Sequence, residues 1–207
     1  MAAEPTVFVV DDNVGMRRSL SALMKSAGLP VETYASGEEF LERYDPARTG
    51  CLLLDIRLHA SSGLDLQDEL RRRRSMLPVI IVTGHGSVPT SVRALKAGAL
   101  DFLQKPVPPK LLLERIRAAI ESDKKARARA AERSAVAARL ARLTRREHEV
   151  MELMIIGKTS REIAATLRLS PRTVEGHRRM VFLKMGVSSA SQLVRVVLSA
   201  READSPP

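Results

Sequence analysis

"CLLLDIRLHASSG", Cys51 to Gly63, runs four apolar residues straight onto an aspartate, Asp55, and then into a small polar loop holding His59. A short continuous apolar run bounded by a loop suits a strand covered on both faces. Other runs end the same way. "TVFVV" at 6 to 10 meets Asp11 and Asp12, "PVIIVT" at 78 to 83 ends on Thr83, and "DFLQ" at 101 to 104 meets Lys105; "VETY" at 31 to 34 is a fifth strand. Between them, "MRRSLSALMKSAG", "SGEEFLERY", "GLDLQDELRRRR" and "VPTSVRALKAG" repeat apolar residues at i, i+3 and i+4. This βα alternation, five times over, predicts an α/β doubly wound domain around a five-stranded parallel sheet.

In such sheets ligands bind beyond the carboxyl ends of the strands. Asp11, Asp12 and Asp55 would meet there and repel one another without a cation. Mg2+, a hard ion that takes oxygen ligands, is the cofactor this set suits. A carboxylate in that position can accept a phosphoryl group while the metal and Lys105 neutralise charge on the transferred oxygens and Thr83 offers a hydroxyl. The plainer alternative makes the acids strand-end solubilising residues and Lys105 a surface charge.

Composition narrows the partners. The chain has 207 residues, room for two domains, with one cysteine, 3% aromatics and no Trp. Cys51 cannot make an internal disulfide and reads as a small buried hydrophobe, which fits a reducing, cytoplasmic setting with no membrane segment. Few aromatics argue against stacking on single-stranded nucleic acid. The net charge of +10 is uneven: +1 over residues 1–122 and +9 over residues 123–207, so the second part is the candidate for meeting a polyanion.

The first part resembles the receiver domain of two-component response regulators, through "VVDD" at 9 to 12, "LLLDIRL" at 52 to 58, "SGLDL" at 62 to 66, "VTGHG" at 82 to 86 and "KAGALDFLQKP" at 96 to 106. The resemblance implies a flavodoxin-like fold with Asp55 as phosphoacceptor. It makes Asp12 and Asp55 direct Mg2+ ligands, Asp11 a ligand through water, and the backbone carbonyl of Arg57 a further ligand. Thr83 and Phe102 become a switch pair, Lys105 binds the phosphoryl group, and the Lys105 to Pro106 bond becomes a candidate cis peptide. His59 and Ala60 stand where related receivers commonly have Pro and Gly; His59 reads as a solvated loop residue, since Mg2+ prefers oxygen. His85 reads as a loop residue at the site's rim, and Arg71 to Arg74 as a cationic end to their helix.

After "KPVPPK" the strands stop. Residues 110–143 read as a helix that runs beyond the first domain or as a charged linker, and domains are expected at 1–122 and 143–207, with a helical linker at 123–142. Helices are expected over 144–156, 160–168, 171–185 and 188–199. Thr144 and Glu147 form a capping-box pattern, Ser170 caps the third helix and Pro171 starts it. Two short helices joined by a tight turn make a small all-α helix-turn-helix domain. On 171–185, Val174, Met180, Val181 and Leu183 are the apolar set. "LTRRE", "REIA", "SPRTVEGHR" and "LKMGV" make this segment similar to the LuxR-type effector domain of the FixJ and NarL group of regulators. By that similarity Arg172, Thr173, His177, Arg178 and Lys184 grip phosphates, while Glu175, Gly176 and Arg179 lie nearest the base edges. Arg179 is the candidate for a guanine contact; Glu175 accepts from cytosine or pairs with Arg179 at i+4.

Together the resemblances imply a phosphorylation-controlled, DNA-binding transcriptional regulator. Its partners would be a cognate sensor histidine kinase, double-stranded promoter DNA, RNA polymerase and a second copy of the chain on phosphorylation, the last through a face at about residues 86–120. The alternatives are a Mg2+-dependent phosphohydrolase using Asp55 as nucleophile, and a DNA-binding protein indifferent to phosphorylation.

Overall fold

The computed structural model describes residues 4–59, 62–84 and 87–202; Ala60 and His85 lie outside them. The chain divides into two compact units, residues 1–127 and 128–207.

In the first unit β1 (Thr6–Val10), β2 (Val31–Tyr34), β3 (Gly50–Leu54), β4 (Val79–Thr83) and β5 (Asp101–Gln104) form one parallel sheet in the order β2-β1-β3-β4-β5. The helices α1 (Val14–Ser26), α2 (Gly37–Arg43), α3 (Gly63–Arg72) and α4 (Val88–Lys96) connect the strands, and α5 (Pro109–Leu140) leaves the last one. Alternate strand residues feed two separate cores, as a period of two requires. Phe8, Val10, Leu52, Leu54 and Ile81 pack with Phe40, Leu66, Leu70 and Ala94 from α2, α3 and α4. Val7, Val9, Cys51, Leu53 and Ile80 pack with Leu20 and Met24 of α1 and Leu112 and Ile116 of α5. Cys51 is fully buried and unpaired, and burial pushes its thiol up to about 12.

Local chemistry sets the helix starts. Asn13, Ser36, Ser62 and Ser87 each accept a first-turn N–H at the N-termini of α1 to α4, and Ser62 with Asp65 completes a capping box. The four arginines do not all belong to their helix. Only Arg71 and Arg72 are helical; Arg74 turns the chain in a left-handed conformation at φ 52°, with its N–H bonded to the Arg71 carbonyl.

The long helix is continuous over Pro109–Leu140. The span expected to be a linker contributes to both units. Asp123, 1% exposed, accepts the Gly50 N–H at 2.9 Å, and the Arg127 guanidinium closes on the same carboxylate at 2.9 Å while donating to the Pro46 carbonyl at 2.8 Å. Val136, further along, is buried in the core of the second unit. Glycine at position 50 is obligatory, because a Cβ there would stand 1.9 Å from the Thr6 carbonyl oxygen.

Among its described residues the second unit forms helices and no strand: the end of α5, then α6 (Arg145–Ile155), α7 (Ser160–Leu167), α8 (Pro171–Met185) and α9 (Ala190–Glu202). Val150, Met151, Met154, Ile163, Val174, Val181, Met185, Leu193 and Val197 form its core. Among the described residues no single helix is long and apolar enough to cross a membrane.

Removing Asp123 strands a half-enclosed guanidinium and a buried N–H together. Asp123→Ala should therefore destabilise the first unit by about 3 kcal/mol. Urea unfolding of the two chains checks this, and a loss below about 1 kcal/mol would mean the clamp is only a surface pair.

Candidate functional site

The acids sit where two adjacent strands end. Asp11 follows β1 directly, Asp55 follows β3, and the Asp55 N–H donates to the Val10 carbonyl at 3.0 Å, which fixes the two aspartates side by side. Lys105, one residue past β5, reaches between them: its Nζ is 2.7 Å from Asp11 Oδ2 and 2.7 Å from Asp55 Oδ2. Burial alone would lower the Lys105 pKa, but the two carboxylates outweigh it and hold the ammonium above its ordinary value. The Lys105 N–H also donates to the Thr83 carbonyl at 2.9 Å, so the end of β4 joins the same cluster. Thr83 is fully buried. Phe102 pairs with Ile81 in the sheet, two residues before Thr83, and packs half-buried against the core on that face. The Lys105 to Pro106 bond is cis.

Two partners were not evident from the sequence. Arg17 Nη1 donates to the carbonyls of Asp11 and Asp12 at 2.7 and 2.9 Å, drawing the first turn of α1 onto the acid pair. His59, expected to be merely solvated, has its Nδ1 against Asp12 Oδ2 although its side chain is 87% exposed. A contact between Asp12 after β1 and His59 in the loop after β3 leaves no period for sequence to reveal.

The donors fit a hard cation. Asp11, Asp12 and Asp55 offer carboxylate oxygens at one edge of the sheet, and Arg57, whose N–H donates to Asp55 Oδ1 at 3.2 Å, stands beside them in the loop. Among the described residues no group of three His, Cys, Asp or Glu side chains forms a ready metal cage. As the chain stands, Lys105, the Asn13 N–H and His59 share out these oxygens.

In the second unit α7 and α8 make the expected pair of helices. Thr159 caps α7 in a capping box with Glu162, Arg168 closes it in a left-handed conformation, and Ser170 with Pro171 opens α8. The bonds to Thr159 and Lys158 bring the Glu162 carboxyl down to about 2. Gly186 ends α8 at φ 66°. The inward stripe of α8 is Val174, Val181 and Met185. Met180 and Leu183, expected in that apolar set, face outward instead, at 38% and 72% exposure.

Arg172, Thr173, Glu175, Gly176 and Arg179 are exposed, while His177 and Arg178 are half-buried. Glu175 does not pair with Arg179; it accepts from the Ser160 hydroxyl and lies 4.0 Å from Arg178 Nε. Lys184, expected among the phosphate contacts, is half-buried and bonds Glu147 Oε2 at 2.6 Å. Burial would raise the Glu147 carboxyl, but Lys184 and the N–H and hydroxyl of Thr144 prevail and hold it below the ordinary glutamate value.

Two families match, in the order the geometry suggests. The response regulator receiver domain matches residues 7–117, and the luxR family of bacterial regulatory proteins matches residues 141–203. Relatives span nearly the whole chain. Nodulation protein W of Bradyrhizobium diazoefficiens is 42% identical over 92% of this chain and 84% of its own. The transcriptional regulatory protein FixJ of Azorhizobium caulinodans is 40% identical over 94% and 92%. This chain belongs to the FixJ-like response regulators. Among solved structures, the response regulator StyR is 38% identical with a TM-score of 0.88, covering 95% of this chain and 99% of its own. A FixJ N-terminal domain, 36% identical with a TM-score of 0.53, covers 59% of this chain and 95% of its own. As in other FixJ-like regulators, a receiver is joined to a luxR-type DNA-binding domain, which implies a histidine kinase and DNA as partners. These families are transcriptional regulators.

The Glu147 carboxyl, held low in the fold, contributes stability in full above pH 4.5 and loses it as pH falls through its depressed folded value. Glu147→Gln should therefore unfold at lower temperature than the parent at about pH 7, and the gap should be smaller at about pH 3. Thermal unfolding followed by circular dichroism at both pH values checks the sign. A variant that stays equally far below the parent in acid would show that the carboxylate's charge is not what matters.

Proposed function

We propose that Asp55 accepts a phosphoryl group from a sensor histidine kinase, and that this event controls dimerisation and promoter binding. The observation that carries the reading is the Lys105 ammonium held 2.7 Å from both Asp11 and Asp55, a ready counter-charge beside the candidate nucleophile. Asp11, Asp12, Asp55 and the Arg57 carbonyl would hold Mg2+, which when bound offsets charge on the phosphoryl oxygens. Lys105 then has a third anion to satisfy, and the Thr83 hydroxyl is drawn to the same group. Phe102, behind Thr83 on the same face of the sheet, takes the space Thr83 leaves.

The surface that answers is α4 and β5. Val88, Val92 and Leu95 form an exposed stripe at i, i+4 and i+7 on α4, and Leu100 beside β5 is exposed as well. This stripe supports the face at about residues 86–120 as the contact between two copies, with Arg115 and Asp101, 3.4 Å apart, at its edge. In domain terms, residues 1–122 receive the phosphoryl group, 123–142 link, and 143–207 bind DNA in the cytoplasm and engage RNA polymerase. Arg172, Thr173, His177 and Arg178 grip phosphates, Arg179, Glu175 and Gly176 face the bases, and Lys184 is left largely to Glu147.

Incubation with acetyl phosphate and Mg2+ tests this. The expected outcome is a gain of one phosphoryl mass, a shift from monomer to dimer in light scattering, and tighter binding to a selected promoter fragment, all lost in Asp55→Asn. Sustained release of phosphate from added phosphoesters would favour a phosphohydrolase, and DNA binding unchanged by the reagent would favour a regulator indifferent to phosphorylation.

A further inference from the structure

Glycine is among the poorest helix formers, and a helix interior keeps one where a neighbour needs the space. Gly176 lies well inside α8, yet a Cβ built there meets no atom within 4 Å. Its φ is not in the left-handed region either, unlike that of Gly186 at the helix end. Nothing within the described fold asks for glycine at this position. The contrast with Gly50 and Gly63 is sharp, since a Cβ would stand 1.9 and 2.1 Å from backbone oxygens there.

The space has a direction. Val174, Val181 and Met185 mark the inward side of α8. At about 100° per residue, Gly176 and Leu183 fall opposite that side, with Arg172, Arg179 and Met180 within about 60° of them. The outermost line of the helix therefore combines two arginines, a gap and two exposed apolar side chains. Phosphates offer an apolar side chain nothing. In the major groove the apolar feature presented by a base edge is the C5 methyl of thymine.

We infer that Gly176 and Met180 are specificity determinants: the gap at Gly176 lets the backbone of α8 seat against a base-pair edge, and Met180, one turn on, packs on a thymine methyl. This rests on α8 being the helix that enters the major groove. Met180 is suited to the contact because its unbranched thioether side chain adapts to a small apolar group. Arg172 and Arg179, which have no ion-pair partner among the described residues, flank the gap and would anchor the helix on either side.

The test uses the full chain, treated with acetyl phosphate and Mg2+, and sites it selects from a randomised duplex library. Each thymine of a selected site is replaced in turn by deoxyuridine, which removes only the methyl group. At one position or more the parent should lose about fourfold in affinity, the effect of unburying one methyl. In Met180→Ala that position should no longer distinguish thymine from deoxyuridine. Gly176→Ala should keep or raise the unfolding temperature of the chain, because the added methyl meets nothing in the fold, and yet bind the selected site at least about tenfold more weakly. Opposite signs for stability and affinity are what a merely structural glycine would not produce. Site-specific binding that is indifferent to every deoxyuridine, or that survives Gly176→Ala unchanged, overturns the inference and leaves the DNA-binding reading intact. A parent chain that selects no sequence at all sinks that reading itself.

Discussion

The receiver depends on one cation placed between two anions. Asp11 and Asp55 end adjacent strands, so the register that makes the sheet also forces their charges together, and Lys105 from the end of β5 is what makes that placement tolerable. The gross attraction at 2.7 Å is several kcal/mol at the effective dielectric of a partly buried site, but taking three charges out of water returns most of it. Net stability is therefore a poor account of why the cluster is built this way. Its consequence is a site one positive charge short of balance, where an added anion draws on Lys105 and an added cation shares the carboxylates with it.

The same strand is held at its other end. Gly50, the first residue of β3, gives its N–H to Asp123, while Asp55, just past the last, gives a carboxylate oxygen to Lys105. Between these two charged fastenings every residue of β3 is buried and close-packed. Such a strand can neither slide nor fray without breaking a charge-assisted bond. Arg127, closing on Asp123 and on the Pro46 carbonyl, extends the second fastening along α5 well past the last receiver core residue, Ile120.

What was legible in the sequence followed from period and order. Short apolar runs ending in acids, a threonine and a lysine placed the strands and brought the site residues to one edge, because a parallel sheet has one such edge. The N-caps were legible at Thr144 and Ser170 because capping uses a fixed local spacing. What escaped depended on contacts that follow no helix or strand period. Arg17 on the backbone of Asp11 and Asp12, His59 on Asp12, and Asp123 on Gly50 leave no repeat to read, and Asp123 lay in a stretch that composition marks as linker. On α8 the difficulty was different. Apolar residues occur on two stripes, and periodicity alone does not say which faces in; Leu193 and Val197 of α9, with Ile163 of α7, settle it for Val174, Val181 and Met185.

That reassignment changes what α8 presents on its outer side. Glu175 accepts from Ser160 at the start of α7 and stands near Arg178, so its carboxylate also helps set the angle between the two helices. Lys184 serves α6 in the same way through Glu147. Both residues thus tie α8 to its neighbours within the helical unit. The outer line of α8 is left to Arg172, Gly176, Arg179, Met180 and Leu183, a surface with positive charge at its flanks and little polarity along its centre. Charge there supplies attraction to any duplex. With α8 in the major groove as proposed, discrimination among duplexes would come from the guanidinium of Arg179, from shape at the glycine, and from apolar contact, and these three would demand a narrower class of base step than a row of lysines.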